Sequence, residues 1–300
     1  MSLVIALVWT LAAWITLIAA LTVLFFFYEN LNTYGVEEMR RRTGHSPWGQ
    51  LLRLSGLTWL SNAVVALTYP LGWIPPLWFR PPAVATRQPG GLRHGSPTQR
   101  PPVLLVHGLY HNASAWVLFR QRLRSAGFEH VFAYSYSSLF NNYYQLTAKL
   151  ANRVEQVRAH FPSTRIVLVG HSLGGLQVRG YMASEHSRDK IAAAVTLGAP
   201  NQGSKLAALG AGALARSLAY HGQLAQELEA ADQPASAPCL ALTASLDEFV
   251  LPLSAANLPR AQELGWTEQL VMNTSHIFML YDNQVADAAL AFLDQTLTGA

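Results

Sequence analysis

Cysteine occurs once in this 300-residue chain, as Cys239, which excludes an intrachain disulfide and a cysteine-rich zinc site. That thiol sits in the apolar run Cys239-Leu240-Ala241-Leu242, where a small buried hydrophobe is expected. Charge is also scarce. Asp, Glu, Lys and Arg make up 13% of the residues, against roughly 25% in an ordinary soluble domain. With 51% hydrophobic residues, the balance excludes a disordered chain and points either to a membrane-attached protein or to one with unusual apolar surface. The net charge of +4 includes no basic run interleaved with aromatics, which argues against a nucleic-acid partner. Much of the excess is arginine near the apolar N-terminal segments (Arg40, Arg41, Arg42, Arg80, Arg87, Arg93 and Arg100), as suits a membrane surface.

Residues 3–28 carry no charge. As a helix they run about 39 Å, ample for a hydrocarbon core of about 30 Å. A cleaved signal peptide has an early positive residue, a short apolar core and a small-residue cleavage site. Here no Lys or Arg precedes the run, and it ends in Phe25-Phe26-Phe27-Tyr28, so a retained transmembrane helix is expected. A second uncharged stretch, residues 57–79, contains Pro70, Pro75 and Pro76, and a helix is expected to end near Tyr69. It spans, re-enters or lies along the bilayer. If both stretches span, the arginines between them place that loop in the cytoplasm and the rest of the chain outside. If only the first spans, the remainder is cytoplasmic. Residues 81–100 are rich in proline, glycine and arginine and read as a linker.

From residue 103 onward short apolar runs alternate with amphipathic stretches, the pattern of a parallel sheet covered by helices. Strands are expected at 103–106, 131–134, 166–169, 192–197, 240–244 and 269–272, and helices at 115–126, 143–160, 176–184 and 285–297. The chain thus divides into a membrane-associated region at 1–80, a linker at 81–100 and a catalytic α/β domain at 101–300. The Ala- and Leu-rich segment at about 201–238 is longer than a crossover needs and reads either as a helical cap or as ordinary packed helices.

The run at 166–169 leads directly into Gly170-His171-Ser172-Leu173-Gly174, followed by a helical pattern. Strand, tight turn and helix are the context in which G-x-S-x-G presents a nucleophilic serine, with Gly170 and Gly174 leaving room for the turn. The partners then follow in the order acid, histidine. His276, in a polar loop after the last strand, is the expected base. Asp247 is the expected orienting acid, with Glu248 beside it as the rival. Backbone amides of Leu173 and of Leu109, in His107-Gly108-Leu109, are expected to form the oxyanion hole.

Residues 101–300 resemble bacterial lipases and esterases of the α/β-hydrolase superfamily. The matching stretches are Val106-His107-Gly108-Leu109, the segment around Ser172, Leu197-Gly198-Ala199-Pro200-Asn201-Gln202-Gly203-Ser204, the segment around Asp247, and Ser275-His276. The resemblance implies Ser172, Asp247 and His276 as a triad, amide donors at Leu109 and Leu173, and a lid-like segment after Ser204. Cleavage of acyl esters through an acyl-enzyme is expected. The apolar anchor, paired with an Ala- and Leu-rich segment beside the serine, points to glycerides, phospholipids or simple esters as substrates. The anchor lies outside the resemblance and points to a membrane, expected to be a bacterial inner membrane. An acyltransferase using the same residues and an inactive binding protein on the same fold are the alternatives. Many secreted relatives bind calcium through an aspartate soon after the histidine. Ile277, Phe278, Met279 and Leu280 stand there instead, so no metal and no cofactor are expected.

Overall fold

A computed structural model describes residues 3–44, 46–80, 100–162 and 164–298. Its centre is a six-stranded sheet in the order β2-β1-β3-β4-β5-β6, parallel throughout. The strands are β1 (Val103–Val106), β2 (Val131–Tyr134), β3 (Ile166–His171), β4 (Ile191–Leu197), β5 (Cys239–Leu246) and β6 (Trp266–Ser275). All six expected strands are present, several extended by a few residues.

Strands β1 to β5 are buried on both faces because helices cover both, whereas the edge strand β6 is exposed from Thr267 to Leu270. Leu104, Val106 and Leu168 pack on one side with Leu146, Leu150, Val154 and Val157. Val103, Leu105, Val167 and Val169 pack on the other with Phe119, Leu123, Val285 and Leu293. Burying each such side chain contributes about 1.5–3 kcal/mol.

Four helical segments precede or cross this sheet early in the chain: α1 (Leu3–Thr43), α2 (Pro47–Thr68), the short α3 (Pro75–Trp78) and α4 (Val117–Ser125). Later come α5 (Tyr143–His160), α6 (Leu173–Met182), α7 (Ala213–Ser217), α8 (Gln223–Ala231) and α9 (Asn283–Thr298). Helices α5 and α6 lie on the first face, α4 and α9 on the second. Strand order reverses at β1, which pairs with β2 on one side and β3 on the other. At such a switch point the loops diverge and leave a crevice outside the carboxyl ends of the strands.

The N-terminal helices differ from expectation in extent. The first does not stop at residue 28 but continues to Thr43, with a non-helical Gly35 (φ 72°, ψ 172°) inside it. Two of the polar residues that continue it are held by partners. Glu29 pairs with Lys205, and the Asn30 side chain donates to the Phe26 carbonyl at 2.8 Å. The second helix begins at Pro47, ten residues before the uncharged stretch at 57–79, with Ser46 accepting from the Gly49 amide as its N-cap. It ends at Thr68, as Pro70 dictates, and gives way to a 3₁₀ turn, Tyr69–Trp73, and then α3. Ile5–Glu37 and Pro47–Trp73 are long and apolar enough to cross a membrane. The expected linker lies largely outside the described residues.

The α1–α2 hairpin is packed on the sheet's carboxyl edge. Helix α2 and the turn after it cross that edge from end to end. Arg53 Nε donates to the Asn273 carbonyl near the end of β6 at 3.0 Å, and Thr58 Oγ1 donates to Glu248 Oε1 after β5 at 3.1 Å. The carbonyls of Tyr69 and Gly72 accept from Asn112 and Ser135, after β1 and β2, both at 2.9 Å. Val23, Phe26, Met39 and Leu54 form one apolar cluster with Leu246 and Leu251.

The expected cap both packs and covers. Leu214 of α7, Leu218, and Leu224 and Leu228 of α8 belong to the main core, and the stretch from Ser204 to Leu218 also overhangs the crevice. Arg179 of α6 holds the base of the segment through a buried bidentate ion pair with Asp232 (2.6 and 3.0 Å) and a 2.7 Å hydrogen bond to the Asn201 carbonyl.

Candidate active site

Strand β3 runs through His171 and α6 begins at Leu173, leaving Ser172 alone in the turn with φ 54° and ψ −121°. A non-glycine residue held there costs about 1–3 kcal/mol, which the packing around it must offset. That packing is tight. A Cβ on Gly174 would lie 2.6 Å from the His107 carbonyl oxygen and closer still to that of Val106, and one on Gly170 would strike the Gly174 carbonyl. The Ser172 amide donates to the Leu197 carbonyl at 2.8 Å, tying the turn to β4. Leu173 is the first residue of α6, so its amide has no acceptor within the helix.

The loop after β1 lies directly against this turn. A Cβ on Gly108 would sit 3.0 Å from the Ser172 Cβ. His107 fixes the loop: its Nδ1 donates to the Gly108 carbonyl at 2.8 Å, and its Nε2 accepts from the Tyr136 amide at 3.1 Å. Burial pushes its pKa down to about 3, so the ring is a neutral structural strut.

His276 follows β6 and is buried. Its Nδ1 donates to Asp247 Oδ2 at 2.9 Å, while Asp247 Oδ1 accepts from the amides of Phe249 (3.0 Å) and Val250 (2.7 Å). The carboxylate is thereby aimed by its own loop. Burial opposes a charge on the imidazole, but the carboxylates of Asp247 and Glu248 outweigh it, and the pKa rises above the usual 6.5.

The two adjacent acids separate cleanly. Asp247 reaches the ring; Glu248 reaches the backbone. Glu248 Oε2 accepts from the His276 amide at 3.0 Å, and its other oxygen accepts from Thr58 of α2. Burial, reinforced by the neighbouring Asp247 charge, pushes its pKa up to about 7. The His276 carbonyl accepts from His171 Nε2 at 3.0 Å, so the peptide carrying the imidazole is clamped at both ends. Neither clamp was foreseen from sequence, where His171 reads only as the variable residue of the pentad. His171 is held well below its ordinary pKa by burial, and by His276 when that ring is charged.

Ser172, His276 and Leu109 line a single cavity of about 470 Å³, with Gly108, His111 and His171. Burial, aided by the nearby His276, lowers the His111 pKa to about 4, so it is neutral around pH 7. Among the described residues, no group of three or more His, Cys, Asp or Glu side chains is arranged to hold a metal ion.

Comparison with known proteins places the fold. Residues 103–269, more than half of the chain, match the profile described as "Alpha/beta hydrolase family". The probable esterase PIR7A of rice, Oryza sativa, is 37% identical over 101 residues, 32% of this chain. The chain spans 38% of the length of these curated relatives. The fold is similar to that of a lipase from Bacillus licheniformis, with a TM-score of 0.57 and 18% identity over 72% of this chain and 97% of that one. It is also similar to Aspergillus fumigatus lipase B, with a TM-score of 0.58 and 18% identity over 66% of this chain and 53% of that one.

Proposed function

The chain belongs to the alpha/beta hydrolase family, and on that premise we propose that it is a membrane-attached carboxylic ester hydrolase with Ser172 as nucleophile. His276 takes the Ser172 hydroxyl proton as Oγ attacks the ester carbonyl carbon. Asp247 holds the imidazole in the tautomer that leaves Nε2 free to accept, and stabilises the imidazolium that forms. The oxyanion of the tetrahedral intermediate is received by the amides of Leu173 and Leu109; one such donor contributes about 3–4 kcal/mol in the transition state. Collapse expels the alcohol, which takes the proton from His276, and leaves an acyl ester on Ser172. Water then attacks that ester with His276 again as base, releasing the carboxylic acid and restoring the serine.

The observation that carries the reading is the 2.9 Å bond between the buried Asp247 and His276, which lines the same cavity as the strained Ser172. The similarity to esterases and lipases supports the ester as the bond cleaved. The test is hydrolysis of p-nitrophenyl butyrate by pure, folded Ser172→Ala protein. Activity lost to background supports the assignment, and activity retained sinks it.

Membrane attachment rests on the hairpin. Trp9, Leu24, Leu52 and Leu67, on helices long enough to cross a bilayer, expose between 62% and 79% of their surface. Large exposed apolar patches of this kind mark contact with lipid or protein. The cell membrane fraction should retain the protein through alkaline carbonate washing; its release into the wash would remove this part of the proposal.

A further inference from the structure

Helix α1 reaches the cavity that holds Ser172. Trp14, Ile18, Leu21, Thr22 and Phe25 line it from one side. Their spacing places them on one face of the helix. Leu206, Leu209 and Leu218, from the overhanging segment after β4, line it from another. The serine and histidine therefore look into a slot whose apolar walls come from the N-terminal hairpin and the cap segment.

We propose that α1 is a wall of the acyl-chain site of the ester hydrolase described above, with Ile18 and Leu21 setting the chain length the enzyme accepts. The inference rests on the ester-hydrolase reading and adds to it a part of the chain outside residues 103–269, which match the family.

Three observations carry it. The wall is anchored: the Leu253 amide donates to the Asn30 side chain at 3.4 Å and the Ser254 amide to the Tyr34 hydroxyl at 3.0 Å, beside the Glu29–Lys205 pair. The cleft's volume of about 470 Å³ falls within the range of sites that bind small organic ligands. Finally, α1 is apolar on both faces. Leu17 and Leu24 on its outer side are 49% and 62% exposed, while Trp14 and Leu21 stand at the cavity rim, 61% and 44% exposed. A chain passing from lipid to Ser172 thus meets apolar side chains all the way, and its ester arrives at the polar end. Each methylene moved from water into such a slot is worth about fourfold in affinity.

The test uses the full chain in detergent micelles and compares kcat/KM for p-nitrophenyl acetate, butyrate, octanoate and decanoate. Ile18→Trp fills the slot; Leu24→Trp adds the same bulk on the outer face. The expected result is a decanoate-to-acetate ratio of kcat/KM lowered by about tenfold or more in Ile18→Trp relative to wild type. Leu24→Trp should follow wild type throughout. A chain-length profile unchanged in Ile18→Trp, or an equal loss on every ester, overturns the inference while leaving the ester reading intact. No turnover by wild type at any chain length would overturn the ester reading itself, and this inference with it.

Discussion

Replacing Glu248 by Gln separates the charge of this residue from its hydrogen bonds. The amide oxygen of glutamine accepts from the His276 N–H as the carboxylate does, and its NH₂ donates to the Thr58 hydroxyl, so the clamp on His276 survives. Only the negative charge is lost. That charge raises the His276 pKa, behind the larger contributions of Asp247. Glu248 has a pKa of about 7 and is about half ionised near neutrality, so its replacement removes part of the support for the imidazolium and lowers the His276 pKa.

In the wild type, kcat/KM should fall as pH drops through a value above 6.5, because the base must be neutral to take the serine proton. In Glu248→Gln that acid limb should move to lower pH. Stability should change as well. The folded pKa of Glu248 is raised from 4.5 to about 7, so between those values the folded state holds a proton that the unfolded state has released. Wild-type stability should therefore fall with rising pH across that window, by about 3 kcal/mol in total. Glu248→Gln should remove this part of the slope. The assay is a kcat/KM profile from pH 4.5 to 9 on p-nitrophenyl butyrate, with Tm followed over the same range. An acid limb that stays in place or moves to higher pH would refute the electrostatic reasoning.

Two other substitutions probe the scaffold. Gly174→Ala places a methyl against the backbone oxygens of Val106 and His107, which cannot move without shifting β1. It should cost at least about 1–3 kcal/mol, read as a lowered Tm, and abolish ester hydrolysis. Arg179→Met leaves the buried Asp232 carboxylate without its partner, which should cost about 3–5 kcal/mol in thermal or denaturant unfolding. Arg179→Met with Asp232→Leu should recover most of that loss, since no charge is then left buried and unpaired.

The catalytic half was legible because its signals are local. Strands β1, β3 and β4 are continuous apolar runs since both faces are covered, and the glycines at 170 and 174 are demanded by contacts that any side chain would violate. Asp247 was preferred over Glu248 from the sequence, but the separate role of Glu248 as a backbone clamp was not legible. Neighbours in sequence, they part only because the amides of Phe249 and Val250 turn one inward while Thr58 captures the other. The placement of the hairpin was hidden for a similar reason. A helix face that lines an acyl slot has the same composition as one that faces lipid, so Ile18 and Leu17 look alike in sequence. The polar residues that dock the hairpin, Glu29, Asn30 and Thr58, find partners about 180 to 220 positions away. No local pattern carries that information.

The most direct test of the account is labelling of the folded, full-length protein by a fluorophosphonate, which reacts only with an activated serine, followed by mass mapping of the adduct. The account predicts one adduct per chain, on Ser172, at a rate that follows deprotonation of His276, and none in Ser172→Ala. Failure of the folded protein to react, or an adduct on another residue, would contradict it.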